Sequence, residues 1–310
     1  MTGSRRKRSQ NTNWVSSRNA ALQKTTNRCA HTQTDNGRDS IEWVLIAKGI
    51  GILLVVAGHF YPDTSPAYWS AIRDLCYSFH MPLFFLVSGY LYSHGKYPYP
   101  DLIAKKTKRL LYPFLSIAAL FSLIKLAAGR IVALDNPVTA RTVGALLTDP
   151  VHSFMPLLWY IHTLFLIFVV YPLLRMQLNT PCILLALLLV NTVAGTDYPV
   201  FGRVAAYMPF FVCGILLKEN SGAARLVLRA DRRCVYLLAT AFLAVYVLQQ
   251  CVAIGQFYDY CSWLVLAVLG STLVISASSA LASCSRGRVN KPPAVARVLF
   301  NDHIFNAPPV

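Results

Sequence analysis

Eight apolar runs recur along the chain, at about 41–60, 77–94, 110–128, 156–175, 181–195, 204–218, 234–254 and 260–283. Lipid offers no hydrogen bonds to a backbone, so runs of this kind satisfy their own N–H and C=O groups by folding as helices. The chain is therefore read as all-α: a polytopic transmembrane helical bundle of about eight spans. A bilayer core of about 30 Å needs about 20 residues per helix, so the fifth and sixth runs are short for a full crossing. Only 14% of the 310 residues are charged, against roughly 25% in soluble domains, and mean hydropathy is +0.46.

A net charge of +16 would suggest a nucleic-acid partner in a soluble protein, but its distribution excludes that reading. Lys and Arg gather in alternate connections: Lys96, Lys105, Lys106, Lys108 and Arg109 before the third run, Arg225, Arg229, Arg232 and Arg233 before the seventh, and Arg286, Arg288, Lys291 and Arg297 after the last. The connections between these are poor in cations. The positive-inside rule then places the N-terminus and the even-numbered connections in the cytoplasm, with membrane lipid as the neighbour. Residues 1–40, polar and carrying "RRKR" at 5–8, read as a disordered basic cytoplasmic arm. Residues 41–283 form the membrane domain, and 284–310 an irregular cytoplasmic tail. The eight cysteines are scattered without a C-x-x-C pair, so neither disulfides nor a metal site is expected.

Within the first run, "IAKGIGILLVVAGH" at 46–59 brackets an apolar stretch with Lys48 and His59. Eleven residues of helix separate them by about 16 Å along the axis and about 20° around it, so both project from nearly one face. Ionisable groups inside a span mark a pathway or a site, although Lys48 snorkelling to headgroups and His59 closing the helix end is an equal reading from position alone. The second run, "FHMPLFFLVSGYL" at 79–91, brings His80 to the same depth as His59. Two imidazoles at one level can supply a general base and its orienting partner. Pro82 is expected in the first turn of this helix, where its missing N–H costs little. Ser88 is a packing residue sooner than a nucleophile. In "AKKTKRLLYPF" at 104–114, Lys105, Lys108 and Arg109 share a helix face and suit phosphate groups; a positive-inside anchor would look alike. His162 and His152 are weaker candidates.

These stretches, with "LWYIHTLFL" at 158–166 and "MPFFVCGILL" at 208–217, resemble in order the membrane-bound acyltransferase family 3, and most closely its fucose-acetylase-like branch. The resemblance implies transfer of an acyl group, commonly acetyl, from cytoplasmic acetyl-CoA or another acyl-CoA to a hydroxyl of a glycan acceptor such as O-antigen, capsule or exopolysaccharide, in a bacterial cytoplasmic (inner) membrane. The family's first-helix motif, a basic residue followed after ten residues by His, falls on Lys48 and His59. Its basic cluster falls on Lys105, Lys108 and Arg109. Leu45 stands where the branch carries an aspartate, and the family's ten spans exceed the eight found, so a C-terminally shortened member is expected.

The expectation is that Lys48, Lys105, Lys108 and Arg109 bind the acyl-CoA phosphates while His59, aided by His80, acts as base. A pantetheine arm, roughly 15 Å by ordinary bond lengths, spans the distance between them, and no metal is required. The alternative is a transporter or flippase with a His/Lys-lined path, or an inactive shortened family member.

Overall fold

The computed structural model describes residues 42–60, 66–132, 137–194, 201–228, 231–252 and 255–286. The arm at 1–40 and the tail beyond 286 lie outside these. The chain divides into two compact units. Residues 48–277 form the larger. The smaller takes the chain up to Ala47 and from Ser278 onward, and its described residues are helical, at 42–47 and 278–286.

The helices are α1 (Glu42–His59), α2 (Ala67–Leu91), α3 (Tyr99–Lys106), α4 (Tyr112–Ala128), α5 (Ala140–Thr148), α6 (Trp159–Gln177), α7 (Thr180–Ala194), α8 (Phe201–Glu219), α9 (Ser221–Leu228), α10 (Arg232–Cys251) and α11 (Gln256–Arg286). Among the described residues, six stretches are long and apolar enough to cross a membrane: α1, Tyr99–Ala128, Pro156–Gln177, α8, α10 and Phe257–Cys284. The apolar α7, at 15 residues, is shorter, as the fifth run is short in the sequence. The sixth run extends to 19 residues in α8 and reaches full length.

Three boundaries differ from the sequence reading. Helix α2 begins at Ala67, ten residues before the apolar run, so Pro82 lies inside it and not in its first turn. A mid-helix proline gives up the bond to the Ser78 carbonyl and crowds it, at about 3 kcal/mol or more. The basic stretch before the third run is helical from Tyr99, with Pro98 as N-cap and Pro100 in the first turn. Helix α11 continues to Arg286, into the segment read as irregular. Hydropathy locates where a helix is apolar, whereas polar helical turns carry no hydropathy signal.

Helices α2 and α8 form the centre of the larger unit. They run parallel, Phe85 stacking on Tyr207 with ring centres 4.9 Å apart and Lys218 Nζ donating to the Tyr92 carbonyl at 2.8 Å. A methyl on Gly89 would sit inside the Phe211 carbonyl, and one on Gly214 inside the Leu86 carbonyl. Two glycines thus let the backbones touch, the close approach that small residues permit between helices in lipid. Around this seam Phe85, Met208, Phe210, Phe211 and Val212 are almost wholly buried. Helix α1 lies antiparallel to α2: a Cβ on Gly58 would meet Tyr77 at 3.7 Å, and one on Gly51 would press on Phe84 at 2.7 Å.

Candidate functional site

Where α1 ends, His59 Nδ1 lies 3.3 Å from the Tyr77 hydroxyl of α2. That hydroxyl also lies 3.1 Å from the Gly58 carbonyl. A carbonyl can only accept, so Tyr77 O–H donates to Gly58, and the tyrosine oxygen accepts from His59 Nδ1–H. The neutral imidazole then carries its lone pair on Nε2, at an exposed residue. Tyr77 therefore fixes the tautomer that a general base needs.

The Tyr77 ring also packs against His80, with ring centres 5.2 Å apart. His80 is 1% exposed, and its Nδ1 lies 2.7 Å from the Cys76 carbonyl one turn back. The same logic protonates Nδ1 and leaves the lone pair on Nε2, which is buried without a hydrogen-bond partner. Buried polar atoms in folded proteins are nearly always satisfied, so this nitrogen is open to a hydrogen-bond donor. The two histidines do come together, as the sequence suggests. The link between them is Tyr77, which sequence reading passed over because a tyrosine beside an apolar run looks like an interfacial aromatic.

The cations stand elsewhere. Lys105 Nζ lies 3.4 Å from the centre of the Tyr97 ring, and Lys106 Nζ lies 3.5 Å from that of Phe168. Phe168 in turn packs on Tyr92, at 6.0 Å, which places this cluster at the far end of α2. Tyr77 and Tyr92 are fifteen residues apart on one helix, roughly 22 Å. Lys108 and Arg109 are exposed and lie in a π-turn, Thr107–Leu111, closed by the Tyr112 N–H bonding back to Thr107. Single π-turns inside α-helices recur at functional sites. The turn inserts one residue into the helical register, so the shared face inferred for Lys105, Lys108 and Arg109 from α-helical spacing is widened. Lys48 is partly buried and, by the antiparallel register of α1 against α2, lies near the depth of Ser88. It stands between the cation cluster and the histidines.

The remaining candidates have structural partners. Ser88 Oγ faces the Tyr160 hydroxyl at 3.5 Å. His162 is buried and its ring lies 6.3 Å from that of Phe114. His152 Nδ1 pairs with Asp149 at 2.6 Å, and Arg203 Nη1 takes the other carboxylate oxygen at 2.9 Å. Burial alone would raise the Asp149 carboxyl; the hydrogen bonds and charges of His152 and Arg203 outweigh it and hold the group below the usual carboxylate range. This triad ties the segment carrying α5 to α8, above a small core of Phe114, Ala118, Leu146, Phe154 and Leu158. Among the described residues, no group of three or more His, Cys, Asp or Glu is placed to hold a metal ion.

The comparisons with known proteins follow the same lines. Residues 41–296 match a family described as an acyltransferase domain, acyltransferase 3. Over 88 residues the chain is 39% identical to nodulation protein NolL of Sinorhizobium fredii (strain NBRC 101917 / NGR234), a stretch that covers 26% of this chain and 24% of that protein. The match thus spans about a quarter of the length of that curated relative. No solved structure matches.

Proposed function

We propose, from the premise that this chain belongs to the acyltransferase 3 family and is an integral membrane acyltransferase, that it carries an acyl group, acetyl in the simplest case, from cytoplasmic acyl-CoA across the bilayer to a glycan hydroxyl. The observation that carries the reading is the separation of two chemistries along α2. Cations that suit a nucleotide's phosphates gather near Tyr92, and imidazoles with lone pairs on Nε2 gather at Tyr77. In this reading the cation end faces the cytoplasm, as the charge pattern of the connections suggests.

Lys105, Lys108 and Arg109 would hold the phosphates by charge and hydrogen bonds. The roughly 22 Å between the two ends exceeds a pantetheine arm of roughly 15 Å, so Lys48, partly buried along the way, would draw the phosphate end inward. At the other end His59 Nε2 takes the proton of the attacking hydroxyl, whose oxygen forms the new C–O bond to the thioester carbonyl. The C–S bond breaks, and the departing CoA thiolate takes the proton back from the imidazolium. Tyr77 holds His59 in the productive tautomer throughout. General-base help of this kind is worth about 10²–10⁴ in rate, and holding both substrates in register supplies much of the remainder.

The test is release of free CoA from acetyl-CoA by the purified protein in lipid, with and without an acceptor glycan. Wild-type protein should release thiol in the presence of acceptor. His59→Ala, inserted normally, should not. A His59→Ala protein of undiminished activity would remove the base assignment, and transport of a glycan without thiol release would favour the flippase reading instead.

A further inference from the structure

At Tyr77 the surface of the larger unit carries a cleft of about 450 Å³, more open than enclosed, with room for a small molecule. Its walls come from three helices far apart in sequence: Asp74 and Tyr77 from α2, Gln249 and Gln250 from the end of α10, and Asp259 and Trp263 from the start of α11. Tyr77, which orients His59, is therefore also a wall of this cleft.

The lining is unusual for a membrane helix bundle. Apart from the two carboxylates it is neutral and rich in hydrogen-bonding groups, and among the described residues no lysine or arginine lines it. The Arg73 guanidinium pairs with Asp74 at 3.4 Å. Trp263 is held rigid by Tyr207 at 6.0 Å, Phe210 at 5.5 Å and Tyr260 at 6.1 Å between ring centres. The Tyr246 hydroxyl donates to the Ala71 carbonyl at 2.9 Å, which pins α10 against α2 and fixes the width of the opening. A flat, rigid indole offers a face to the C–H side of a sugar ring. Carboxylates and primary amides bind its hydroxyls as acceptors and donors. The Asp259 carboxylate repels an anionic ring, the Asp74 carboxylate being paired with Arg73.

We propose that this cleft is the acceptor subsite and that it admits an uncharged sugar ring while rejecting a uronic acid. The inference rests on the acyl-transfer reading only for the word acceptor; sugar binding itself is independent of it. Tyr77 joins the two, so a hydroxyl of a ring stacked on Trp263 is presented beside His59 Nε2.

The experiment is saturation-transfer NMR on the full chain in lipid nanodiscs, with methyl glycosides of glucose, galactose, mannose, fucose and N-acetylglucosamine as probes, and with glucuronate and galacturonate as anionic counterparts. At least one neutral glycoside should bind wild-type protein and neither uronate should. Gln250→Ala and Trp263→Ala should weaken that binding about tenfold, the scale of one or two lost hydrogen bonds or stacking contacts. Gln250 is exposed, so its variant keeps the test valid if Trp263→Ala fails to fold. Asp259→Asn should let a uronate bind. Absence of neutral-sugar binding to wild-type protein, binding unchanged in Gln250→Ala and Trp263→Ala, or equal binding of uronates would overturn the proposal. Sugar binding as described but without thiol release would instead sink the acyl-transfer reading and leave this subsite standing.

Discussion

The two ends of α2 are built on different physics. At Tyr77, carbonyls and a hydroxyl hold each imidazole by a specific nitrogen, at 3.3 Å for His59 and 2.7 Å for His80, and His80 is sealed from solvent. Around Tyr92, lysines rest on the faces of Tyr97 and Phe168, while Lys108 and Arg109 remain exposed. Directed hydrogen bonds fix one tautomer and one orientation, as chemistry at a single atom requires. Cations over rings and in solvent leave the charge positioned but adaptable, which is enough to hold phosphates. One end is made for precision and the other for attraction.

The sharpest way to break this comparison is His59→Ala. If chemistry resides at the Tyr77 end, turnover should fall by about 10²–10⁴ while KM for acyl-CoA stays near its wild-type value. At the other end, Lys108→Gln combined with Arg109→Gln should raise KM for acyl-CoA about tenfold or more with kcat little changed, and added salt should reproduce part of the effect. A fall in kcat alone in that double variant would mean the two ends do not divide their work as described.

Tyr77→Phe sharpens the contrast within the imidazole end. It removes both hydrogen bonds of the hydroxyl, to the Gly58 carbonyl and from His59 Nδ1, and with them the tautomer lock, so kcat should fall about three- to tenfold. The ring contacts to both histidines should persist, and His59→Ala should mask the effect in the double variant.

The smallest effect concerns the segment that caps the structure around α5. Asp149, held below the ordinary carboxylate range by His152 and Arg203, contributes stability that is present above the unfolded pKa of an aspartate. That contribution fades as pH falls through the lower, folded value. Arg203→Gln should therefore lower thermal stability by about 1–2 kcal/mol at neutral pH, intermediate between an exposed and a buried pair. Its deficit should shrink in strong acid, where the wild-type protein loses the same interaction; the check is a melting curve at several pH values.

Much of this architecture was legible in the order of the residues. Apolar runs can only be helices in lipid, and each run sits in a helix close to its expected place. His59 and His80 could be placed at one depth because helix rise converts residue number into distance. Helix ends were less legible: α2 starts ten residues early, with Pro82 inside it, because Arg73 and Asp74 in a polar turn give no hydropathy signal. The basic cluster is helical and carries a π-turn for the same reason.

Sequence by itself determined that this chain crosses a membrane several times and belongs among the acyltransferases, because burial of backbone in lipid and a short set of ordered motifs leave few other solutions. Tertiary structure alone decided that Tyr77 touches both histidines, that Gly89 and Gly214 bring α2 and α8 into backbone contact, and that Gln249, Gln250, Asp259 and Trp263 meet Asp74 around one cleft. Those residues lie up to 189 positions apart (74 to 263). Local periodicity reports which face a side chain takes on its own helix, and only the packing of helices decides which faces meet.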